Sequence, residues 1–588
     1  MRRRLAFVAA ALSAFSLASC GSGSDHPASG PRGQAGGVGG ASSRGVIGAS
    51  GRVSTGGAGP AGSFGGTTGA DAAVGGAAGN STSPLLPARI RRLTNAEFDA
   101  SVKALLGVDS TFGQSFTPDT RQDGFSRNDA QRVDPVFITQ LDQAAQQLAT
   151  NARANFAQLA PCADKTAGGE ACARTFLTGF AARAYRRPAT DAEVSALVTV
   201  YHAGADGAAY EDGIQATIQA VLESPGFLYV TELGDTPLAA NVTLDQYEIA
   251  SSLSYLVTGA PPDDTLLGAA KAGNLTSPDE RQSQVERLLA TDAARVQVIR
   301  LVEEWLGIDQ ITQTAKDSNI YPDFAGLRDA MKQESDDFSA EVMWKNGGSV
   351  GDLLSADWTI AGDSLARMYL NLGSNDTVSR SNNHVSLTSA PRRGILDQGA
   401  FLSVYAHATE TAPVLRGVAV LRRIACVDIP SPTTLNINVV PPLPDPTKTT
   451  RDRFAAHVSD PVCAQCHTKI DSIGFTFEDL DGMGRERHTE NGLPIDSTST
   501  VVTGEDIDGN YMNSAGLGQT LGTSADARAC FARHLFRYAA TRTDDAGGAE
   551  EAFMSTAYGL PMASQGKVKD LLTVFVRSDA FVTRRASE

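Results

Sequence analysis

The sequence predicts a mostly α-helical protein: a multi-unit helical body followed by a smaller helical segment with a minor hairpin. Three observations carry this. Apolar residues recur at three- and four-residue spacing through most of the chain, as in Phe98, Val102, Leu105 and Leu106. The recurring runs open on capping signals, such as Thr-Asn-Ala-Glu at 94–97 and Thr-Asp-Ala-Glu at 190–193, in which a hydroxyl and a carboxylate satisfy first-turn amides reciprocally. Alternation of the strand kind is sparse, while Gly107 and Pro188 stand where such helices should stop.

The chain begins with a charged stretch, Arg2, Arg3 and Arg4, and then an apolar run over residues 5–17. That run is too short to span a bilayer and has the form of a signal-peptide core. It ends in Leu17-Ala18-Ser19-Cys20, which resembles the lipobox of bacterial lipoproteins. The resemblance implies that residues 1–19 are a signal peptide and that Cys20 carries acyl chains. With Gly21 rather than an acid after it, the resemblance favours the outer over the inner membrane. The alternative is an ordinary secreted protein with a chance cysteine. Residues 20–86 form a tether rich in glycine but without a three-residue period, so a flexible coil is expected, with a span of roughly 45 Å. No later apolar stretch is long enough to cross a membrane. The net charge of −16 argues against nucleic acid, whose phosphates demand clustered Lys and Arg.

The helical body divides into an N-terminal unit over 87–160, a second over 161–235 and a third over 236–375. Leu93 and Phe98 are placed as a hydrophobic staple around the first capping box. Phe137, Leu141 and Leu148 mark a helix from about 135 to 159, and a further helix is expected near 170–186. After the second box, Val194, Leu197, Val198 and Tyr201 share a face. Thr243 and Gln246 read as a third box before Tyr247, Ile249, Leu253 and Leu256. Ser277-Pro278 opens a helix with proline in its first turn. Thr291 opens another, on which Val296, Ile299, Val302 and Trp305 recur. Residues 322–345 and 363–371 also read as helical. These apolar stripes are most simply core.

Residues 388–495 form a fourth unit. Helices are expected around Phe401 and from Pro413 to near Cys426, then a proline-rich strap over 430–446 and a helix over 451–457. Next comes Val462-Cys463-Ala464-Gln465-Cys466-His467. C-x-x-C-H is the attachment pattern of c-type haem: two thiols reach one porphyrin edge, and the adjacent imidazole turns onto the iron. Covalent haem attachment takes place outside the cytoplasm, so the export signal and the motif support each other. Residues 496–588 form a C-terminal helical unit packing on this segment, with a small hairpin within 495–512 and its last two helices over 530–538 and 567–577.

The order of segments is similar to one family. Ile90-Arg91-Arg92-Leu93-Thr94-Asn95-Ala96-Glu97-Phe98, Tyr247-Glu248-Ile249-Ala250-Ser251, Pro413-Val414-Leu415-Arg416-Gly417, the C-x-x-C-H block, Gly474-Phe475 with Asp481, and Ser578-Asp579-Ala580-Phe581 carry the likeness. The chain resembles large exported bacterial proteins made of adjoining domains of unknown function, with a cytochrome-c-like C-x-x-C-H segment near the C-terminus. The likeness covers about 88–583 and implies little about activity, since fold does not supply function. One departure is Ser472, where the family leads one to expect proline.

Cys463 and Cys466 are therefore candidate thioether residues for one haem c, and His467 the candidate axial iron ligand. The alternatives are a Cys463–Cys466 disulfide and a zinc site, although no second C-x-x-C is present. Met562 and Met483 are candidate sixth ligands, with His457 or His488 as others; an iron open at that position is a further reading. Apart from Cys20 and the haem pair, Cys162, Cys172, Cys426 and Cys530 remain. Four cysteines allow three pairings. Cys162 with Cys172 and Cys426 with Cys530 are favoured, and buried free thiols are the alternative. Asp506-Ile507-Asp508-Gly509-Asn510 hints weakly at calcium. The expected function is electron transfer by a lipid-anchored envelope protein with unidentified redox partner proteins. The competing classes are a non-redox envelope protein that binds an extracellular polymer or protein, and a haem-dependent oxidoreductase.

Overall fold

Thr94 and Glu97 cap each other's backbone amides at the head of the helix Asn95–Leu106, and Gly107 ends it in the left-handed region, as the local sequence dictates. The computed structural model describes residues 83–163, 165, 169–206, 209–235, 240–431, 434, 442–541 and 547–586, all within one unit spanning residues 77–588. The signal peptide, Cys20 and nearly all of the tether lie outside the described residues, as do most of the proline-rich strap and the side chain of His457. No helix among the described residues is long and apolar enough to cross a membrane.

The protein is mostly α-helical, with strands confined to small groups. Among the described residues its helices build two large hydrophobic cores, with Leu93, Val230 and Tyr255 as a small cluster apart. The first draws on the helices Asn95–Leu106, Pro135–Ala152, Glu170–Tyr185, Asp191–Ala205 and Tyr210–Leu222. The segments 87–160 and 161–235 thus share one apolar interior. A disulfide joins Cys162 to Cys172 at its margin. The second core takes in Leu86, Phe125 and residues from Leu244 to Phe581, including the segment bearing the C-x-x-C-H motif.

Short strands join segments far apart in sequence. Leu86–Pro87 runs parallel to Thr583–Arg585, which pairs antiparallel with Asn241–Thr243. Arg89–Arg92 pairs antiparallel with Tyr229–Glu232.

Several elements depart from the sequence reading. The third capping box is formed by Asp245 and Glu248, because Thr243 lies in a strand opposite Thr583. On the helix Asp292–Leu306, Ile299, Val302 and Trp305 are buried as expected, together with Val298 and Leu301, whereas Val296 is 49% exposed. Among the described residues the C-terminal unit holds the helices Ser514–Thr523, Ala525–Ala540, Gly547–Tyr558, Val568–Arg577 and the short Asp579–Val582, three more than expected. The hairpin is the antiparallel pair Ser499–Val501 and Gly509–Tyr511. Asp508 accepts from the amides of Thr503 and Gly504, and Asp506 from Ser524 and from the amides of Ala525 and Asp526, so both carboxylates serve the turn and the next helix start.

Candidate functional site

Asp460 starts the motif helix, Pro461–Gly474, by accepting from the amides of Val462 at 2.8 Å and Cys463 at 3.2 Å, while Pro461 fills its first turn. The C-x-x-C-H residues therefore sit in the first two turns. Cys463 and Cys466, three positions apart, fall on one helix face. Both are free thiols and partly buried, and Cys466 packs against the second core. Burial, with the Asp460 carboxylate nearby, pushes the Cys463 thiol up. His467 is one residue further round, and its Nδ1 lies 2.9 Å from Oδ1 of buried Asp471.

Close backbone contact holds the helix in place. It crosses the helix Pro413–Arg423 where a Cβ on Gly417 would overlap the carbonyl oxygen of Ile470, and one on Gly474 that of Pro413. Next to Gly417, the fully buried Arg416 donates to the carbonyls of Phe477 at 3.0 Å, Leu480 at 2.9 Å and Asp481 at 2.7 Å. These bonds clamp the turn that follows the motif helix. The helix Thr450–Ser459 and the strand Ser499–Val501 pack on its other sides, and Lys469 Nζ donates to the carbonyl of Thr503 at 2.7 Å. Ser472 continues the helix in place of the expected proline, its hydroxyl donating to the carbonyl of Lys469 at 2.9 Å.

The structure brings Cys463, Cys466 and His467 together on one short helical segment, with exposed Val462 next to Cys463. Thiols on one face and an imidazole on the next residue are the donor set that covalent haem requires. The residues fit the group. The two motif cysteines are not joined to each other. Among the described residues, the group of three metal-type donors with atoms within 4.8 Å of one another is Cys426, Cys530 and His534. There the two sulfurs are joined as a disulfide, which removes them as thiolate ligands. Burial pushes His534 down to about 4, so its imidazole is neutral at pH 7.

The methionines are placed apart from each other. Met483 is 0% exposed and belongs to the second core, in a turn organised by Asp481, which accepts from the amides of Met483 and Arg485. Met562 is 70% exposed, on the connection between the helices Gly547–Tyr558 and Val568–Arg577. Those helices pack on Ala525–Ala540 and on each other, whereas the motif helix packs chiefly on Pro413–Arg423 and Thr450–Ser459. His488 is largely exposed beside Glu486.

The residue that sequence reading passes over is Asp471. Its spacing of four from His467 is the available signal, since on a helix that spacing brings two side chains onto one face.

Four family models match the chain, in order. They are PSD3, Protein of unknown function (DUF1587), over 91–154; PSD5, Protein of unknown function (DUF1595), over 172–232; PSD4, Protein of unknown function (DUF1592), over 244–370; and PSCyt3, Protein of unknown function (DUF1588), over 392–490. Together they span more than half of the chain. The fold and the motif helix define a helical protein with a cytochrome-like domain towards its C-terminus, a role that the name of the fourth match carries. The chain belongs to the family of multidomain proteins built from these adjoining domains of unknown function, and its C-x-x-C-H segment lies within the fourth. No curated protein and no solved structure matches.

Proposed function

We propose that this chain is an exported envelope lipoprotein carrying one covalently attached c-type haem, and that it passes single electrons between partner proteins. The observation that carries the reading is the placement of Cys463, Cys466 and His467 in the first two turns of one helix, inside a cytochrome-like domain. The four remaining cysteines of the described residues pair as disulfides, which suits an oxidising compartment and agrees with the export signal. When bound, haem supplies one-electron chemistry whose potential the protein sets. The chain's own contribution is to fix the group through Cys463 and Cys466, to present the His467 imidazole, and to hold the motif helix rigid against Gly417 and Arg416. Acylation at Cys20 anchors the chain at the outer membrane. A haem-dependent oxidoreductase is the second reading. It is favoured by the exposure of Met562, on a connection that packs elsewhere.

Expression with the export signal alongside haem-maturation machinery tests the proposal. The reduced pyridine complex of the denatured protein should show one equivalent of thioether-linked haem, and the Cys463→Ser, Cys466→Ser double variant should lose it while keeping both disulfides. A mature chain weighing no more than polypeptide plus lipid overturns the proposal and leaves the non-redox envelope class. Carbon monoxide titration of the reduced protein separates the two haem readings, since only an iron open to exchange binds it readily.

A further inference from the structure

His467 and Asp471 stand one helical turn apart on the motif helix, with Nδ1 and Oδ1 2.9 Å apart. The Asp471 side chain is only 3% exposed. Burying a carboxylate costs several kcal/mol unless partners compensate, and the His467 ring is one such partner. A carboxylate accepts only, so the ring N–H at Nδ1 is the donor, and this tautomer leaves the lone pair on Nε2. Histidines that ligate metals commonly pass their other N–H to such an acceptor, which fixes the ring and raises its basicity.

We propose that Asp471 is a positioning residue that fixes the Nε2-ligating tautomer of His467 and, through its charge, lowers the reduction potential of the iron that His467 holds. The inference rests on the haem reading above. A charged acceptor makes the imidazole a stronger donor, and a stronger donor stabilises the oxidised, more positive iron relative to the reduced one. Asparagine at this position would keep a hydrogen-bond acceptor and lose the charge, which separates the electrostatic role from a structural one.

The test compares wild type, Asp471→Asn and Asp471→Glu, all exported and matured with haem. Pyridine-complex spectra first establish loading; an unloaded wild type counts against the haem reading itself and takes this inference with it. With loading equal, D471N should shift the midpoint potential positive by at least the interval for a tenfold change in the one-electron ratio, about 59 mV. D471E should recover most of that shift. An unchanged potential in a fully loaded D471N overturns the inference. Should D471N fail to take up haem, the cyanide-bound ferric wild type decides. Hyperfine shifts of the His467 ring protons that match imidazolate-like complexes support the role, and shifts that match neutral imidazole complexes overturn it.

Discussion

Arg584, in the last strand of the chain, donates to Glu232 at 2.9 Å across 352 positions of sequence, with both side chains almost wholly buried. Arg89 reaches the same carboxylate at 2.8 Å, and Ser252 adds a hydroxyl at 2.8 Å. Burial alone would push Glu232 up, but Arg584 and Arg89 hold it well below the usual carboxylate range. The pair thus locks the chain's end onto the strand that joins the two cores.

Glu232→Ala is expected to be among the most damaging single changes outside the motif. It leaves two buried guanidinium groups without their anion, and breaking a buried pair this way costs about 3–5 kcal/mol. Urea unfolding at pH 7 should show the midpoint fall accordingly. Because the folded-state value is depressed, the wild-type stabilisation is complete above the unfolded value near 4.5. It is lost as pH falls through the folded value. The variant's deficit should therefore shrink in acid, and a deficit independent of pH would contradict the assignment.

The crossing of the motif helix with Pro413–Arg423 depends on the missing side chains of Gly417 and Gly474. Gly417→Ala pushes a methyl into the Ile470 carbonyl, where backbone must move, and overpacking of this kind costs about 1–3 kcal/mol. Gly326, within the helix Phe324–Ser339, has open space where a Cβ would stand and so provides the contrast. Gly326→Ala should stabilise by about 0.5–1 kcal/mol, because alanine loses less backbone entropy in a helix. Opposite signs in thermal unfolding support this reading of the crossing, and equal effects refute it.

Local chemistry makes much of the fold legible. The boxes at Thr94 and Thr190 act within four residues and need nothing from the rest of the chain. Thr243 misleads because its role is fixed by Thr583, far away in sequence. Val296 misleads because a strict three-residue spacing drifts around a helix of 3.6 residues per turn, which carries it off the face that buries Val302. The helix Gly547–Tyr558 opens on two glycines and shows little amphipathic pattern to find. At the site, five consecutive residues announce the thiols and the imidazole. Asp471 stays silent because an acid four residues along is ordinarily a solvated one, and only the fold shows it buried against His467.

Glu334 should give the second core a measurable pH dependence. It is wholly buried, accepts from Thr359 and Tyr369 at 2.6 Å each, and is pushed up to about 7 by burial, which those two bonds only partly oppose. The folded state therefore holds a proton that the unfolded chain releases above about 4.5. Its contribution is complete below that pH and is lost as pH rises towards 7. The shift corresponds to about 3 kcal/mol. Glu334→Gln keeps an acceptor and cannot ionise, so its stability relative to wild type should rise between pH 4.5 and 7. Urea midpoints at pH 5 and pH 7.5 check this, and parallel changes in the two proteins would exclude Glu334 as the source.

The Cys426–Cys530 disulfide encloses the motif helix within a loop of 104 positions, and it does so without touching the motif's own sulfurs. Cys530 lies on the helix Ala525–Ala540, and Cys426 lies just beyond Pro413–Arg423, the helix that the motif helix crosses. Opening so long a loop restores chain entropy to the unfolded state, worth about 4–5 kcal/mol on the loop-closure account. The Cys426→Ser, Cys530→Ser double variant should therefore unfold at markedly lower temperature than wild type. Mild thiol reductant should lower the wild-type transition towards it and leave the variant's transition much less changed. Removing the Cys162–Cys172 link, which closes only 10 positions at the margin of the first core, should cost less, since the entropy term grows with loop length. If the short loop proves the more costly, strain or packing at the Cys162 margin governs these crosslinks, and chain entropy does not.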